Sequence, residues 1–177
     1  MFYFLRKTVD AGKCFTIILV LEKNVALYSR EEARKIKTEF WTTFGGYMKP
    51  IPGADGEPVN WVNYRTGIKH LYFRMDADQR GVHIGIQMTD PDQAVRLLMF
   101  EQFLAFRSLL HEGLGEDWVW EKVRSNGEPY AYIGIDQTGL NIFKKEDWPE
   151  MIRFFKHRML LLDAFWTDAK HSFDWLR

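Results

Sequence analysis

Two segments in which apolar and polar residues alternate, 68–76 and 81–88, most constrain what this chain can fold into. A period of two is typical of a strand with one buried face, and the short polar stretch between the segments favours an antiparallel hairpin. One register aligns the apolar positions: Met75 with Val82, Phe73 with Ile84, and Leu71 with Ile86. The sequence therefore predicts a hairpin that buries this apolar face.

The opposite face of the hairpin collects long polar side chains. The predicted register places Arg74 opposite His83, Tyr72 opposite Gly85, and His70 opposite Gln87. Such a face is either the solvated side of a half-exposed sheet or a binding surface for an anionic or aromatic partner. Five residues form this candidate face: His70, Tyr72, Arg74, His83 and Gln87. We expect Tyr72 to cover the glycine.

The tip of the hairpin, RMDADQRG at 74–81, places Asp76, Asp78 and Gly81 at the spacing that opens a calcium loop. A calcium loop also needs an oxygen ligand at its fifth position and a Glu at its twelfth, where this chain has Arg80 and Gln87. The flanking segments alternate as strands, whereas a calcium loop lies between helices. The tip is therefore predicted to be a polar turn with Gly81 at a positive φ, and no metal site is expected.

Three helices are predicted at about 29–48, 90–112 and 147–173. Each begins with a capping residue three positions before Glu or Gln: Ser29 with Glu32, Asp90 with Gln93, and Asp147 with Glu150. The second helix is apolar on almost every side between Val95 and Leu110. We therefore expect it to be the central and most buried helix.

A second hairpin is predicted in residues 117–135, because Asn126-Gly127 is typical of a two-residue turn. That turn places Trp120 opposite Ile133 and Trp118 opposite Ile135. The outer row of this hairpin extends the candidate face with Tyr130, Tyr132 and Glu121. A short segment at 59–63 is predicted to add an outer strand.

These elements predict an α+β fold, in which two hairpins and one more strand form an antiparallel sheet packed with three helices. The element order is α-β-β-β-α-β-β-α. The 177 residues suit one domain, which we place at 28–177. Residues 1–27 are expected to be an extension that is not part of the domain.

The order of these elements resembles the restriction-endonuclease-like core. In that core an Asp on the second strand and a Glu-x-Lys on the third hold magnesium. The corresponding strand here reads HIGIQMT, with Gln87 and Thr89 where Glu and Lys are required. The resemblance therefore implies a nuclease-like fold without its metal site.

Composition and spacing exclude several other classes of site. The 24 Lys and Arg residues equal the 24 Asp and Glu residues, so no overall field attracts nucleic acid. The single Cys14 excludes an internal disulfide, as is ordinary in a reducing cytoplasm. The five histidines form no His-Glu-x-x-His, and no phosphate-binding loop precedes a helix. We predict no catalytic residue, no cofactor and no metal.

Two apolar features bear on membranes and partners. The run CFTIILVL at 14–21 is too short to span a bilayer and is followed by no cleavage site of small residues, so neither a membrane anchor nor a secretory leader is expected. Seven tryptophans are more than a core of this size usually holds. Because Trp166, Phe173 and Trp175 crowd the end of the third helix, we expect a homo-oligomer through that helix.

The chain resembles a bacterial family known as domain of unknown function 4268. The resemblance lies in YSREEARKIKTEFWTTFGGYM, NWVNYRTGIKHLYFRMDAD, FEQF, LLHEGLGEDWVWE and EDWPEMIRFFKHRMLLLDAFW, and covers about residues 28–177. It implies no activity and no catalytic residues. Longer members of the family carry this domain after a nuclease-like domain, which implies a DNA-linked setting. Members of this size begin close to Tyr28, so residues 1–26 depart from the family pattern.

Two functional hypotheses follow. The first is a non-enzymatic cytosolic interaction module that uses the candidate face or the aromatic third helix. The second is a nuclease-related domain that has lost its metal site and binds DNA or a nuclease partner. An enzyme acting on a small molecule would need an enclosed pocket near Glu101 or His111.

Overall fold

The computed structural model describes residues 28–123 and 129–176 of the chain. Among these residues the α-helices are Arg30–Met48 (α1), Gln93–Ala105 (α2), Arg107–Leu114 (α3) and Trp148–Ala169 (α4). The strands are Leu71–Ala77 (β1), Gly81–Met88 (β2), Val119–Glu121 (β3) and Ala131–Thr138 (β4). Two 3-10 helices, Lys145–Asp147 and Lys170–Leu176, flank α4.

The four strands form one antiparallel sheet in the order β1-β2-β4-β3, so β2 and β4 lie at its centre. The predicted α+β class is therefore confirmed. The element order differs from the prediction in two places, since the second predicted helix is divided and segment 59–63 forms no strand. That segment is a turn, which carries Trp61 into the core, where the indole N–H donates to the Ile51 carbonyl at 2.9 Å.

The described residues belong to two units, which divide between Lys35 and Ile36. In the first unit Ser29 and Glu32 form the predicted capping box. The Glu32 amide donates to Ser29 Oγ at 3.2 Å, and the Ser29 amide donates to Glu32 Oε2 at 2.8 Å. The second unit contains the sheet and the helices α2 to α4. The predicted domain boundary at residue 28 stays a prediction.

The register of the first hairpin was predicted wrongly by two residues. The observed pairs are Met75 with Ile84, Phe73 with Ile86, and Leu71 with Met88. The cause is Asp78, whose Oδ1 accepts hydrogen bonds from the amides of Arg80 at 2.6 Å and Gly81 at 3.1 Å. This turn moves the tip toward the C-terminus. Because a strand repeats every two residues, the two faces of the hairpin are nevertheless those predicted.

Gly81 does not adopt the predicted positive φ. It is needed for a different reason, because a Cβ at this position would lie 2.3 Å from the carbonyl oxygen of Gln137 in β4. The glycine therefore allows β2 and β4 to approach closely.

In the second hairpin the predicted pairing of Trp120 with Ile133 is confirmed, while Trp118 precedes β3. The predicted turn at Asn126-Gly127 lies outside the described residues.

The segment predicted to be the second helix starts later than predicted and is divided into α2 and α3. Asp92, not Asp90, caps α2, since its Oδ1 accepts the Ala94 amide at 2.8 Å. The helix ends at Phe106, whose backbone (φ −98°, ψ 9°) is not helical and whose amide donates to Phe103 at 3.0 Å. The resulting α2 buries three residues, whereas α4 buries ten. The most buried helix is therefore α4, and the prediction for the second helix was wrong.

The C-terminal helix also starts without its predicted cap. The Asp147 carboxylate accepts the Asn141 amide at 2.9 Å and makes no capping bond to α4. The aromatic core lies along this helix, where Phe155 contacts Phe40 and Phe44 of α1, and Trp166 contacts Phe103 and Phe173. The sheet contributes its inner face to the same core through residues such as Phe73, Ile84 and Ile133.

Candidate functional site

The outer face of the sheet holds most of the predicted candidate face. Across β1 and β2, Tyr72 lies opposite Gln87, Arg74 opposite Gly85, and Asp76 opposite His83. The predicted pairs of Arg74 with His83, Tyr72 with Gly85 and His70 with Gln87 are therefore corrected by the two-residue shift. His70 lies just before β1 at φ 62°, and its carbonyl accepts the Thr89 amide at 2.8 Å.

Two contacts order the polar side chains of this outer face. The Arg74 guanidinium lies over the ring of Tyr72, 4.4 Å from its centroid. His83 Nδ1 lies 3.0 Å from Asp136 Oδ1 of β4, with both side chains partly exposed. His83 thus stands between the acidic residues Asp76 on β1 and Asp136 on β4.

The centre of the outer face is filled by Tyr132, which β4 places over two glycines. A Cβ at Gly85 would lie 2.4 Å from the Tyr132 ring, and a Cβ at Gly134 would lie 2.2 Å from the Tyr132 hydroxyl. That hydroxyl donates to the Ile84 carbonyl at 3.3 Å. Tyr132, and not Tyr72, therefore covers Gly85, and the prediction named the wrong tyrosine.

The outer face carries more acid than base. On the described strands its charged residues are Arg74, Asp76, Glu121 and Asp136, with His83 between two of the acids. Val119 of β3 adds an apolar side chain that is 56% exposed. The face is therefore open, mixed in polarity and not cationic.

Sequence reasoning missed a wide concavity of the described chain. It is a groove of about 570 Å³ between segment 55–67 and the C-terminal end of α4. Its polar lining residues include Asp55, Glu57, Asn63, Tyr64, Arg65, Asp163, Thr167 and Lys170. Volumes of this order are typical of small-molecule sites.

Asp163 is the key to how this groove is built. Its side chain is on α4, the residue is only 4% exposed, and its two oxygens accept the Tyr64 hydroxyl at 2.6 Å and the Ala54 amide at 2.7 Å. Burial raises the pKa of Tyr64, and the hydrogen bond to Asp163 raises it further. Tyr64 therefore stays protonated and keeps donating to the carboxylate.

The same segment is held to α4 one turn further on. The Trp166 indole donates to the Thr66 carbonyl at 2.9 Å, and the buried Thr66 hydroxyl donates to the Leu71 carbonyl at 2.8 Å. A signal for this arrangement existed in the sequence, because Asp163 is the single acid in the apolar run 159–166. A buried acid in such a run needs hydrogen-bond donors from another part of the chain.

The remaining predicted positions are not brought into a site. Glu101 pairs with Lys122 at the surface, and His111 lies 3.3 Å from exposed Asp117 beside a cavity of only about 30 Å³. Trp166 and Phe173 are buried in the core, so Trp175, 53% exposed, is the remaining surface aromatic of the trio behind the predicted oligomer.

The residues described carry neither a metal-binding cluster nor a membrane-spanning helix. No group of three or more His, Cys, Asp or Glu side chains there is arranged to hold an ion. At the hairpin tip the Asp76 and Asp78 carboxylates accept backbone amides instead. No helix in the same part of the chain is long and apolar enough to cross a bilayer.

The described residues form an α+β domain whose antiparallel sheet packs against helices on its inner face and is open on its outer face. Comparison with protein families shows that residues 36–170 match the domain of unknown function 4268, so the chain belongs to that family. This confirms the resemblance found in the sequence. No curated protein and no solved structure matches the chain.

Proposed function

We propose that this chain is a non-enzymatic cytosolic interaction module that binds a protein partner on the outer face of its sheet. The observation that carries the proposal is the one-sided packing of the sheet. The inner face is buried with the helices, whereas Arg74, Asp76 and Asp136 are exposed on the other side. An open face with aromatic, apolar and charged side chains has the mixed character of non-obligate protein interfaces.

The charges of the face favour a protein over nucleic acid. A DNA-binding surface needs an excess of cations to neutralise phosphates. The described strands offer Arg74 against Asp76, Glu121 and Asp136. A partner that presents a carboxylate to Arg74 and basic groups to the two aspartates would complement this pattern.

The test is affinity capture from the cytosol of the source cells with the full chain and three variants, followed by quantitative mass spectrometry. Arg74→Glu and Asp136→Lys reverse charges on the face, and Lys144→Glu reverses an exposed charge elsewhere. We expect one protein retained by the wild type and the Lys144 variant and lost by the other two. Its purified form should bind the face variants at least about tenfold more weakly, or 1.4 kcal/mol.

Two outcomes would contradict the proposal. One is a captured set that does not change when the face is reversed. The other is salt-dependent binding of DNA that Arg74→Ala abolishes, which would favour the nuclease-related hypothesis instead.

A further inference from the structure

The charged side chains that line the groove beside Asp163 change from acidic to basic along α4. Three lining residues of α4, Asp163, Trp166 and Thr167, share one face of the helix with Lys170, the residue that follows its last turn. The rise from Asp163 to Lys170 is about 10 Å. The opposite wall is segment 55–67, which is tied to the helix at two levels, by Tyr64 to Asp163 and by Thr66 to Trp166.

At the level of Asp163 the groove is acidic. The Ala54 amide bonds to the Asp163 carboxylate, which places the turn containing Asp55 and Glu57 at this end. Asp55 Oδ1 accepts the Glu57 amide at 3.1 Å, and the exposed Glu57 side chain has no hydrogen-bond or ion-pair partner among the described residues.

One to two turns further along α4 the groove is cationic. Arg65 is exposed and lies between Tyr64, whose hydroxyl bonds to Asp163, and Thr66, whose carbonyl accepts the Trp166 indole, so it belongs to neither end. Lys170 follows Trp166 by one turn and is half-buried. Among the described residues the Lys170 side chain has no ion-pair or hydrogen-bond partner.

We propose that this groove binds a short zwitterion of peptide length. Its ammonium group lies at the Asp55 and Glu57 end, and its carboxylate lies at the Lys170 end. An extended chain spans about 3.5 Å per residue, so two or three residues match the separation of the two ends. Charge-assisted hydrogen bonds at both ends then select for both termini.

Titration calorimetry with triglycine, N-acetyl-triglycine and triglycine amide tests the proposal on the full chain. Triglycine should bind with a Kd in the low millimolar range or tighter, about −4 kcal/mol. Blocking either terminus should weaken binding by about tenfold, because each block removes one charge. Absence of triglycine binding up to about 10 mM would overturn the proposal.

Variants locate the site. Lys170→Gln and Glu57→Gln should each weaken triglycine binding by about tenfold, and Lys170→Gln should also abolish the preference for triglycine over its amide. Lys144→Gln, an exposed lysine outside the groove, should bind as the wild type does. If Lys170→Gln binds triglycine as tightly as the wild type does, the proposed position of the site is wrong. Arg74→Glu should not affect the titration, so this proposal and the outer-face proposal fail separately.

Discussion

At the scale of single residues, the most informative group is the buried carboxylate of Asp163. An acid that is 4% exposed must be satisfied by donors, and here Tyr64 and Ala54 supply them from a segment about 100 positions earlier in the chain. Asp163 therefore joins the long segment before β1 to α4. The same contacts form one end of the groove.

Tyr64→Phe should destabilise the protein by about 1–3 kcal/mol, because it leaves a buried carboxylate without one of its donors. Urea unfolding measures the change in the free energy of unfolding. Tyr47→Phe is the control, since the Tyr47 side chain is half-exposed and its hydroxyl has only a distant contact with Lys156. Equal stability of Tyr64→Phe and wild type would show that the Tyr64 hydroxyl does not stabilise the folded chain.

The raised pKa of Tyr64 predicts a dependence of stability on pH. The unfolded chain ionises this tyrosine at its ordinary pKa of 10.0, while burial and the neighbouring Asp163 keep it protonated in the folded chain. Its contribution is therefore fully present below that pKa and is lost as the pH rises above it. Between pH 9 and 11 the free energy of unfolding should fall more steeply for wild type than for Tyr64→Phe, by up to about 1.4 kcal/mol per pH unit. Parallel curves would contradict the assignment.

At the scale of elements, the glycines of the central strands determine how the outer face is built. Gly85 and Gly134 lie beneath Tyr132, where added Cβ atoms would meet its ring and hydroxyl. The tyrosine is thereby nearly buried on a face that is otherwise open. A strand glycine normally weakens a sheet, and here it makes room for a large side chain.

Gly134→Ala should destabilise the protein by about 3 kcal/mol, because its Cβ would also lie 2.6 Å from the Ile84 carbonyl oxygen. Gly113→Ala in α3 is the matched control. No atom lies within 4 Å of its added Cβ, so the alanine should stabilise the helix by about 0.5–1 kcal/mol. Thermal unfolding of both variants measures the contrast, and a Gly134→Ala protein as stable as wild type would refute the packing argument.

At the scale of the whole molecule, most of the aromatic residues belong to one core along α4. Phe173 is fully buried against Phe103, with ring centroids 4.7 Å apart, whereas Trp175 two residues later is 53% exposed. The predicted self-association through the third helix therefore depends on Trp175 and its surroundings. That oligomer stays a prediction.

Phe173→Ala should cost about 3–5 kcal/mol of stability, because it leaves a cavity among aromatic rings. Trp175→Ser should change stability by less than about 0.5 kcal/mol. If the chain self-associates through this end, the same serine variant should lower the mass measured by light scattering. A large loss of stability in Trp175→Ser would show that the residue belongs to the core.

The sequence alone determined the local features whose causes lie within a few residues. Alternation identified β1, β2 and the two faces of their hairpin, and helical spacing identified α1 and α4. It also identified the family. Of three predicted capping pairs only Ser29 with Glu32 formed, because Asp90 and Asp147 bind other backbone amides. Competing local hydrogen bonds of similar energy cannot be ranked from sequence spacing.

Only the tertiary structure decided the rest. The Asp78 turn shifted the hairpin register by two residues, a change that alternation cannot detect because it preserves both faces. Tyr132 covers Gly85 because β4 lies beside β2, and the groove exists because Asp163 meets Tyr64 across the fold. Periodicity records which side of an element is buried. It does not show which side chain from a distant part of the chain packs against that side, because this depends on the packing of the whole chain.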